Sequence, residues 1–433
     1  MTPSHPRTTR RTFLKHGSVA LTAPGVLSGP RTPDDTLRVG LVGCGGRGTG
    51  AAGQALATAG PVRLVAMADA FEDRLESSLA SLTEQMKERK TPERVDVPKE
   101  RRFLGFEGFA RAIDSDVDVV ILATPPGFRP QHFEHAVERG RHVFLEKPVA
   151  VDGPGVRQVL AAAQAAKQQD LKVGVGLQRH HDPRYVETVA RIRDGAIGDL
   201  ILLRCYWNSA GVWDYPRQPG MTEMEYQMRN WYYFNWLCGD HIVEQHIHNL
   251  DVCNWIKDAY PARAQGQGGR QVRAGRDHGE IYDHHMVEYT YADGMTMLSQ
   301  CRHIAGCWNS VSEWAHGSAG SAHVSGWEIE SPTASWSVEQ EGVDPFQLEH
   351  DSLFAAIREN RPYDEAENGA RSTLTAIMGR MATYSGKPVL WDDALSSDLR
   401  LAPSEYSWKG TPPTTPDAQG RYPIPTPGVT RAL

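Results

Sequence analysis

Short hydrophobic runs in the first half of the chain alternate with stretches of helical composition. Each run holds roughly four to eight residues rich in Val, Ile and Leu, bounded by Gly, Pro or charged positions, as in a buried strand. The predicted strands are 37–42, 62–68, 117–123 and 142–145, with a helix at 130–139. Strands that alternate with helices predict an α/β fold with a parallel, doubly wound sheet.

The second half of the chain follows a different pattern. A strand at 171–177 leads into a helix that ends at Arg193, and a further strand follows that helix. Later segments alternate polar and apolar positions, which predicts antiparallel strands with solvent on one face. The alternating segments are 283–291 and 294–300, and helical stretches follow at 348–360 and 370–386.

Composition and domain division are those of a globular protein. We divide the 433 residues into a leader with linker (1–35), a first domain (36–150), a second domain (151–395) and a Pro-rich, extended tail (396–433). The net charge of −7 and the pI near 6.2 argue against a nucleic-acid partner. Six cysteines lie far apart with no CxxC pair, so we expect buried thiols rather than a disulfide framework or a zinc knuckle.

The N-terminal residues resemble a twin-arginine export signal. Arg10 and Arg11 stand in the sequence TRRTFLK, and a modestly apolar run follows from Gly17 to Gly29. That run is too short, and too interrupted by Pro24, for a membrane span. The twin-arginine route carries folded proteins and suits a protein that acquires a cofactor before export. We therefore expect an exported, periplasmic protein without a membrane span.

A glycine-rich turn follows the first predicted strand. Gly43 permits a tight turn, Gly45 lets the backbone approach a pyrophosphate, and Gly48 allows the helix to pack closely on the strand. The next strand leads to Asp69, whose carboxylate can accept hydrogen bonds from a ribose diol and would repel a 2′-phosphate. The sequence therefore predicts a dinucleotide site that prefers NAD to NADP. The assigned contacts are Gly43, Gly45, Gly46, Arg47, Gly48 and Asp69.

The stretch TPPGFRPQHFEHAVERGRHVFLEKPVA, from Thr124 to Ala150, closely resembles the Gfo/Idh/MocA oxidoreductases. Their hallmarks are the glycine-rich turn, Thr-Pro after the fourth strand and Glu-Lys-Pro after the fifth. The resemblance implies a Rossmann domain followed by an α+β domain with an open, mostly antiparallel sheet used for oligomer contacts. It also implies that Thr124, Pro125 and Glu146 contact the cofactor and that Lys147 lies between nicotinamide and substrate. A lysine there can hydrogen-bond the reacting hydroxyl and stabilise a developing alkoxide.

The segment from His241 to Asp251 reads as one helix with two faces. Apolar side chains share one face at helical spacing, and His241, Glu244, His248 and Asp251 share the other. The spacing leaves three interpretations open: a solvated polar face, a metal site built from His241, Glu244 and His248, or a proton-transfer site. We assign no metal ligand.

The resemblance favours proton transfer. The family carries Asp-x-x-x-His on a helix that faces the nicotinamide, and here Glu244 takes the aspartate place and His248 the histidine place. It implies that His248 is the general base, that Glu244 orients substrate hydroxyls and that Asp251 is structural. Glu244 departs from the family pattern, because its side chain is one methylene longer than aspartate and places the carboxylate elsewhere. His246 is another departure, because a small residue is common there.

Aromatic residues cluster just before this segment, in the sequence RNWYYFNW. Aromatic rings stack on sugar C–H surfaces, so we assign substrate binding to Trp231 and Tyr232, with buried packing as the alternative. Arg179, which follows the strand at 171–177, is expected to border the same cleft.

Three functions are compatible with these residues. The resemblance implies an NAD-dependent oxidoreductase that acts on a sugar, glycoside or cyclitol, with a tightly bound, recycled cofactor and a homo-oligomeric assembly. The sequence GGRG at 45–48 also resembles the NAD-dependent glycosidases of glycoside hydrolase family 109, which oxidise, eliminate, hydrate and reduce without consuming NAD. The third possibility is a non-catalytic protein that binds a sugar or NAD.

Overall fold

The computed structural model describes residues 35–332, 334–338 and 342–433. Apart from Asp35, the predicted leader lies outside the described residues. Within the described ranges, no helix is both long enough and apolar enough to cross a bilayer. All six cysteines lie in described segments and are free thiols; five are buried as expected, whereas Cys307 is exposed, contrary to the expectation of a buried thiol.

The first domain of the described chain is built on six parallel strands, the last of which lies beyond residue 150, so this domain extends past the boundary expected from the sequence. Their order across the sheet is β3-β2-β1-β4-β5-β6, so the order reverses between β1 and β4. The strands are β1 (Leu37–Val42), β2 (Val62–Asp69), β3 (Arg102–Leu104), β4 (Val119–Leu122), β5 (His142–Leu145) and β6 (Val173–Val175). The helices are α1 (Gly46–Ala57), α2 (Glu72–Glu88), α3 (Gly108–Asp114), α4 (Arg129–Glu138) and α5 (Gly153–Gln168).

Both faces of this sheet are buried, as a doubly wound sheet requires. Along β4, Val120 and Leu122 belong to the apolar cluster that includes the second domain, whereas Val119 and Ile121 belong to the cluster under α1 and α2. Ligands bind such sheets at the carboxyl ends of the strands where the strand order reverses. The parallel, doubly wound α/β prediction is confirmed.

The second domain contains a larger sheet, with nine strands among the described residues. Its order is β14-β13-β12-β11-β7-β10-β9-β8-β15, and every neighbouring pair except β7 with β10 is antiparallel. The strands are β7 (Leu200–Ser209), β8 (Arg263–Gly269), β9 (His284–Thr290), β10 (Thr296–His303), β11 (Ser310–Gly317), β12 (Gly320–His323), β13 (Glu328–Ser331), β14 (Ala334–Ser337) and β15 (Val389–Leu390).

Helices cover one face of this sheet. Along β10, Met297, Ser299 and Cys301 are buried while the residues between them are partly exposed, so one face packs under α10 and α12 and the other stays open. The helices are α6 (Pro183–Arg193), α7 (Glu223–Arg229), α8 (Asn235–Cys238), α9 (His241–Glu244), α10 (Ile247–Lys257), α11 (Pro345–Arg358), α12 (Ala366–Ser385) and α13 (Trp391–Ser396). The mostly antiparallel second sheet is likewise confirmed.

Candidate active site

A cleft of about 380 Å³ opens at the carboxyl ends of β1 and β4. Its walls come from the glycine-rich turn, the end of β2, the loops after β4 and β5, and the second-domain segment around α7. The cleft therefore lies at the switch point of the first sheet, with the second domain as its far wall.

The glycine-rich turn has the geometry that a dinucleotide needs. Gly43 has φ +95°, and a Cβ there would lie 2.6 Å from the backbone of Ala123, so glycine is required. A Cβ on Gly48 would lie 1.9 Å from the carbonyl oxygen of Gly43. On Gly45 or Gly46, by contrast, a Cβ would meet no described atom within 4 Å. The backbone at Gly45 and Gly46 thus faces open cleft at the N-terminus of α1, where a pyrophosphate fits.

Asp69 stands at the end of β2 and lines the same cleft. Its carboxylate accepts hydrogen bonds from the backbone N–H groups of Cys44 (2.6 Å) and Phe71 (2.9 Å). Burial raises the pKa of Asp69, and these two N–H groups oppose that rise. Each carboxylate oxygen keeps a second lone pair. Asp69 can therefore hold the glycine-rich turn and still accept ribose hydroxyls.

The loops after β4 and β5 are tied together by Arg129. This buried guanidinium donates to the carbonyl oxygens of Thr124 and Pro148. Burial lowers the pKa of Arg129 to about 10, and the charges of Glu146 and Glu244 oppose that fall. Thr124 and Pro125 line the cleft beside it. Arg129 was not singled out from the sequence, although its place in the Thr-Pro loop was a usable signal.

Lys147 and Glu244 join the two domains at the inner end of the cleft. The Lys147 ammonium donates to Glu244 Oε1 at 3.0 Å and to the Glu244 carbonyl oxygen at 2.7 Å. Both side chains are 14% exposed, and both line the cleft. Beside them, Arg47 Nε lies 2.8 Å from Glu146 Oε1. Glu146 is thus paired with Arg47 in this structure.

His248 is buried close to this pair. It is 7% exposed, its ring stacks 6.0 Å from that of Trp207, and its Nδ1 has no hydrogen-bond partner among the described residues. Burial, followed by the positive charges of Lys147 and Arg179, holds the pKa of His248 well below its usual range. The imidazole is therefore neutral at neutral pH, which is the form that can accept a proton.

The expected continuous helix from His241 is wrong. The chain forms two helices, α9 and α10, which are separated at Gln245 and His246. Gly239 (φ +78°) and Asp240 (φ +74°) turn the backbone before α9, and Asp240 caps it by accepting from the His241 N–H. The solvated-face interpretation fails as well, because His241, His248 and Asp251 are all buried.

The proposed metal set of His241, Glu244 and His248 is not brought together. Glu244 pairs with Lys147, whereas the His241 ring pairs with Asp240 (Nδ1 to Oδ1, 2.8 Å). Asp240, His241 and His285 do form a buried cluster of metal-ligand type. The Asp240 carboxylate, however, already accepts from the Tyr282 N–H (2.9 Å) and the Tyr384 hydroxyl (2.5 Å). We interpret this cluster as a hydrogen-bonded anchor for the start of α9.

Two other predicted residues are held in buried networks. Arg179 forms an ion pair with the fully buried Glu313, which also accepts from Asn249. Asp251 accepts from His180 Nε2 at 2.7 Å and from Ser372 Oγ at 2.7 Å. Asp251 therefore fastens α10 to its neighbours, in the structural role expected of it.

The aromatic segment contributes Trp231 to the cleft wall. Tyr232, predicted beside it, is 2% exposed, and its hydroxyl has no partner within the described part of the chain. The described residues that line the main cleft do not include Tyr232, Arg179 or His248. Several residues line the cleft but were not predicted from the sequence. They come from distant segments of the chain and share no recognisable motif: Phe71, Arg74, Phe106, Trp213, Tyr215 and Arg229.

The chain matches a known family in both domains. Residues 37–177 match the Gfo/Idh/MocA oxidoreductase family described as an NAD-binding Rossmann fold, and residues 185–323 match the Gfo/Idh/MocA C-terminal domain. Together these stretches span more than half of the chain.

Curated relatives are inositol dehydrogenases. The chain is 29% identical over 227 residues to inositol 2-dehydrogenase 4 of Saccharopolyspora erythraea, covering 51% of this chain and 54% of that protein. It is 26% identical over 250 residues to inositol 2-dehydrogenase of Ralstonia nicotianae, covering 56% and 61%. The chain thus spans little more than half the length of these relatives.

Solved structures share the fold. Aldose–aldose oxidoreductase from Caulobacter crescentus, complexed with glycerol, superposes with a TM-score of 0.63 at 20% identity, over 82% of this chain and all of that one (100%). For scyllo-inositol dehydrogenase from Lactobacillus casei, with bound NAD(H) and scyllo-inositol, the TM-score is 0.61 at 18% identity, over 83% and 100%. With both domain matches and the glycine-rich cleft in place, this chain belongs to the Gfo/Idh/MocA family of oxidoreductases, and its first domain is that family's NAD-binding Rossmann domain.

Proposed function

We propose that this protein is an NAD-dependent oxidoreductase acting on a ring carbon of a sugar, glycoside or cyclitol. The observation that carries the proposal is the Lys147–Glu244 pair, which lines the inner end of a cleft whose glycine-rich turn suits a dinucleotide. The neutral His248 is buried behind this pair and within the electrostatic influence of Lys147. The names of the relatives, inositol and aldose oxidoreductases, support the same substrate class.

Each residue has a distinct task in this proposal. When bound, NAD supplies the hydride acceptor. Lys147 holds the reacting hydroxyl by its ammonium and stabilises negative charge on that oxygen. His248 accepts the hydroxyl proton, since its depressed pKa keeps the ring unprotonated. Glu244 keeps the Lys147 ammonium in place and presents a carboxylate oxygen to neighbouring substrate hydroxyls.

The aromatic residues of the cleft wall also support this substrate class. Trp231 lies on the wall beside Trp213, with ring centroids 5.8 Å apart, and Trp213 is 40% exposed. Exposed aromatic faces next to charged groups suit ring C–H surfaces flanked by hydroxyls. We propose that Trp213 and Trp231 contact the sugar ring or its substituent.

A glycoside hydrolase that recycles NAD is the second candidate. Arg47, the arginine of the GGRG motif that resembles family 109, pairs with Glu146, the residue before Lys147. Holoenzyme given an aryl glycoside without added NAD would release the aglycone in this case. Stoichiometric reduction of NAD by a free sugar or cyclitol would select the oxidoreductase. Turnover with neither, together with tight sugar or NAD binding, would select a non-catalytic binding protein.

We also propose export and self-association. Export is supported by Arg10 and Arg11 in TRRTFLK, and the double variant R10K/R11K should keep the protein in the cytoplasm in a fractionation experiment. Self-association is supported by the open face of the second sheet, where Met286 of β9 is 50% exposed. Light scattering on Met286→Lys against wild type tests this surface.

A further inference from the structure

We propose that the C-terminal segment carrying Tyr406 and Trp408 is an aromatic lock over the outer end of the cofactor cleft, and that it keeps NAD from exchanging with solvent. The inference rests on the proposed function only in taking NAD as the cofactor. It assigns a role to the Pro-rich tail, which forms no helix or strand in its described residues 397–433.

The lock is built from direct ring contacts. Trp408 packs on Phe71 and Phe106, with ring centroids 5.2 and 4.7 Å apart. Tyr406 packs on Phe106 and Phe128, at 6.2 and 5.2 Å. All three phenylalanines line the cleft. Phe71 follows Asp69 by two residues, so these contacts lie where the ribose-binding carboxylate places the adenosine half of a dinucleotide.

The second domain closes the same end of the cleft from the opposite side. Arg229 forms an ion pair with Asp73 (3.1 Å) and stands over the Phe71 ring at 4.0 Å. Arg74 stands over the Tyr215 ring at 5.3 Å. Phe71 is thus held between Arg229 of the second domain and Trp408 of the tail.

Hydrogen bonds fix the tail along its length. The Leu401 N–H donates to Asp152 Oδ2 at 2.7 Å, before the lock. After it, the Thr414 carbonyl accepts from Gln227 Nε2 at 2.8 Å and the Pro425 carbonyl accepts from the Tyr282 hydroxyl at 2.8 Å. Trp408 and Tyr406 do not line the cleft themselves, so the segment, anchored on both sides, acts by holding Phe71, Phe106 and Phe128 in the cleft wall. In this proposal the adenosine end leaves only when those rings move.

The test measures cofactor release and needs no substrate. Holoenzyme of wild type, Trp408→Ala and Trp408→Phe is diluted into excess NAD-scavenging enzyme, and bound NAD is quantified over time after denaturation. Trp308→Ala is the matched control, since Trp308 is a 63% exposed tryptophan in the loop between β10 and β11, outside the residues that line the cleft. We expect W408A to release NAD at least about tenfold faster, because two aromatic contacts are lost, with W408F closer to wild type and W308A unchanged.

Thermal unfolding shows whether W408A is folded. If it is not, Tyr406→Ala, which removes the other ring of the lock, should accelerate release in the same way. Wild-type-like release from W408A and Y406A, or release from wild type within the dilution time, would overturn the lock. Faster release from W408A in a protein that turns over no sugar would keep the lock and reject the proposed function.

Discussion

The Lys147 ammonium binds Glu244 twice, at the side-chain Oε1 (3.0 Å) and at the backbone carbonyl oxygen (2.7 Å). The carbonyl contact depends only on the backbone of α9, which Asp240 caps. The position of Lys147 is therefore set by the fold, and its charge is balanced by the Glu244 side chain. These two contributions can be separated by substitution.

Lys147→Met should abolish most turnover while leaving cofactor binding intact. The ammonium is the group that stabilises charge on the reacting oxygen, so kcat should fall about 10²- to 10⁴-fold. NAD titration of the apoprotein should give a Kd near that of wild type. Lys87→Met, at an exposed position of α2, is the control. If Lys147→Met loses no more activity than Lys87→Met, the assigned role of Lys147 is rejected.

Glu244→Gln should have a smaller effect than Lys147→Met. Glutamine keeps the shape and the backbone contact but removes the charge that pairs with Lys147, so kcat/KM should fall by about tenfold to a hundredfold. Separate determination of kcat and KM shows whether substrate contact or catalysis is affected. An unchanged kcat/KM would show that the Lys147–Glu244 ion pair has no part in turnover.

The local motifs could be predicted from the sequence, whereas the enclosure of the cleft could not. The glycine-rich turn, Asp69 and Lys147 each follow directly from a strand, so their placement depends on neighbouring residues alone. The break between α9 and α10 falls at Gln245 and His246, whose side chains bond His303 and Ser299, far along the chain. The spacing of apolar residues along the sequence does not reveal such distant partners. The contact of Trp408 with Phe71 likewise joins segments that no spacing relates.

Two glycine substitutions should separate cofactor binding from folding. A Cβ on Gly45 meets no described atom within 4 Å, so G45A should unfold at the temperature of wild type yet bind NAD more weakly, because the methyl group occupies the phosphate approach. A Cβ on Gly48 lies 1.9 Å from the Gly43 carbonyl oxygen, so G48A should lower the Tm. Calorimetry and NAD titration measure both effects. A G45A protein with wild-type affinity would contradict the phosphate assignment.

Mild acid should destabilise the protein through buried neutral histidines. Burial lowers the pKa of His132 and His350 to about 3 and that of His241 to about 4. Below pH 6.5 these histidines take up protons in the unfolded chain but stay neutral in the folded protein. The free energy of unfolding is therefore at its full value above pH 6.5. It declines as pH falls toward 4, by about 1.4 kcal/mol per pH unit for each such histidine.

His350→Leu tests this pH dependence at one position. His350 is fully buried, and neither ring nitrogen has a partner among the described residues. Urea unfolding between pH 7 and pH 5 should show a shallower loss of stability in H350L than in wild type. Equal slopes would mean that His350 is not neutral in the folded protein.

Single-turnover reduction of the retained cofactor tests the central claim most directly. Holoenzyme purified with its own NAD is mixed rapidly with cyclitols and aldoses, without added NAD, and the near-ultraviolet absorbance of reduced nicotinamide is followed. We predict an absorbance rise with at least one substrate, slowed when its ring carbons carry deuterium and lost in Lys147→Met and His248→Ala. No rise with any sugar, cyclitol or glycoside, or a rise that both variants retain, would contradict hydride transfer at this site.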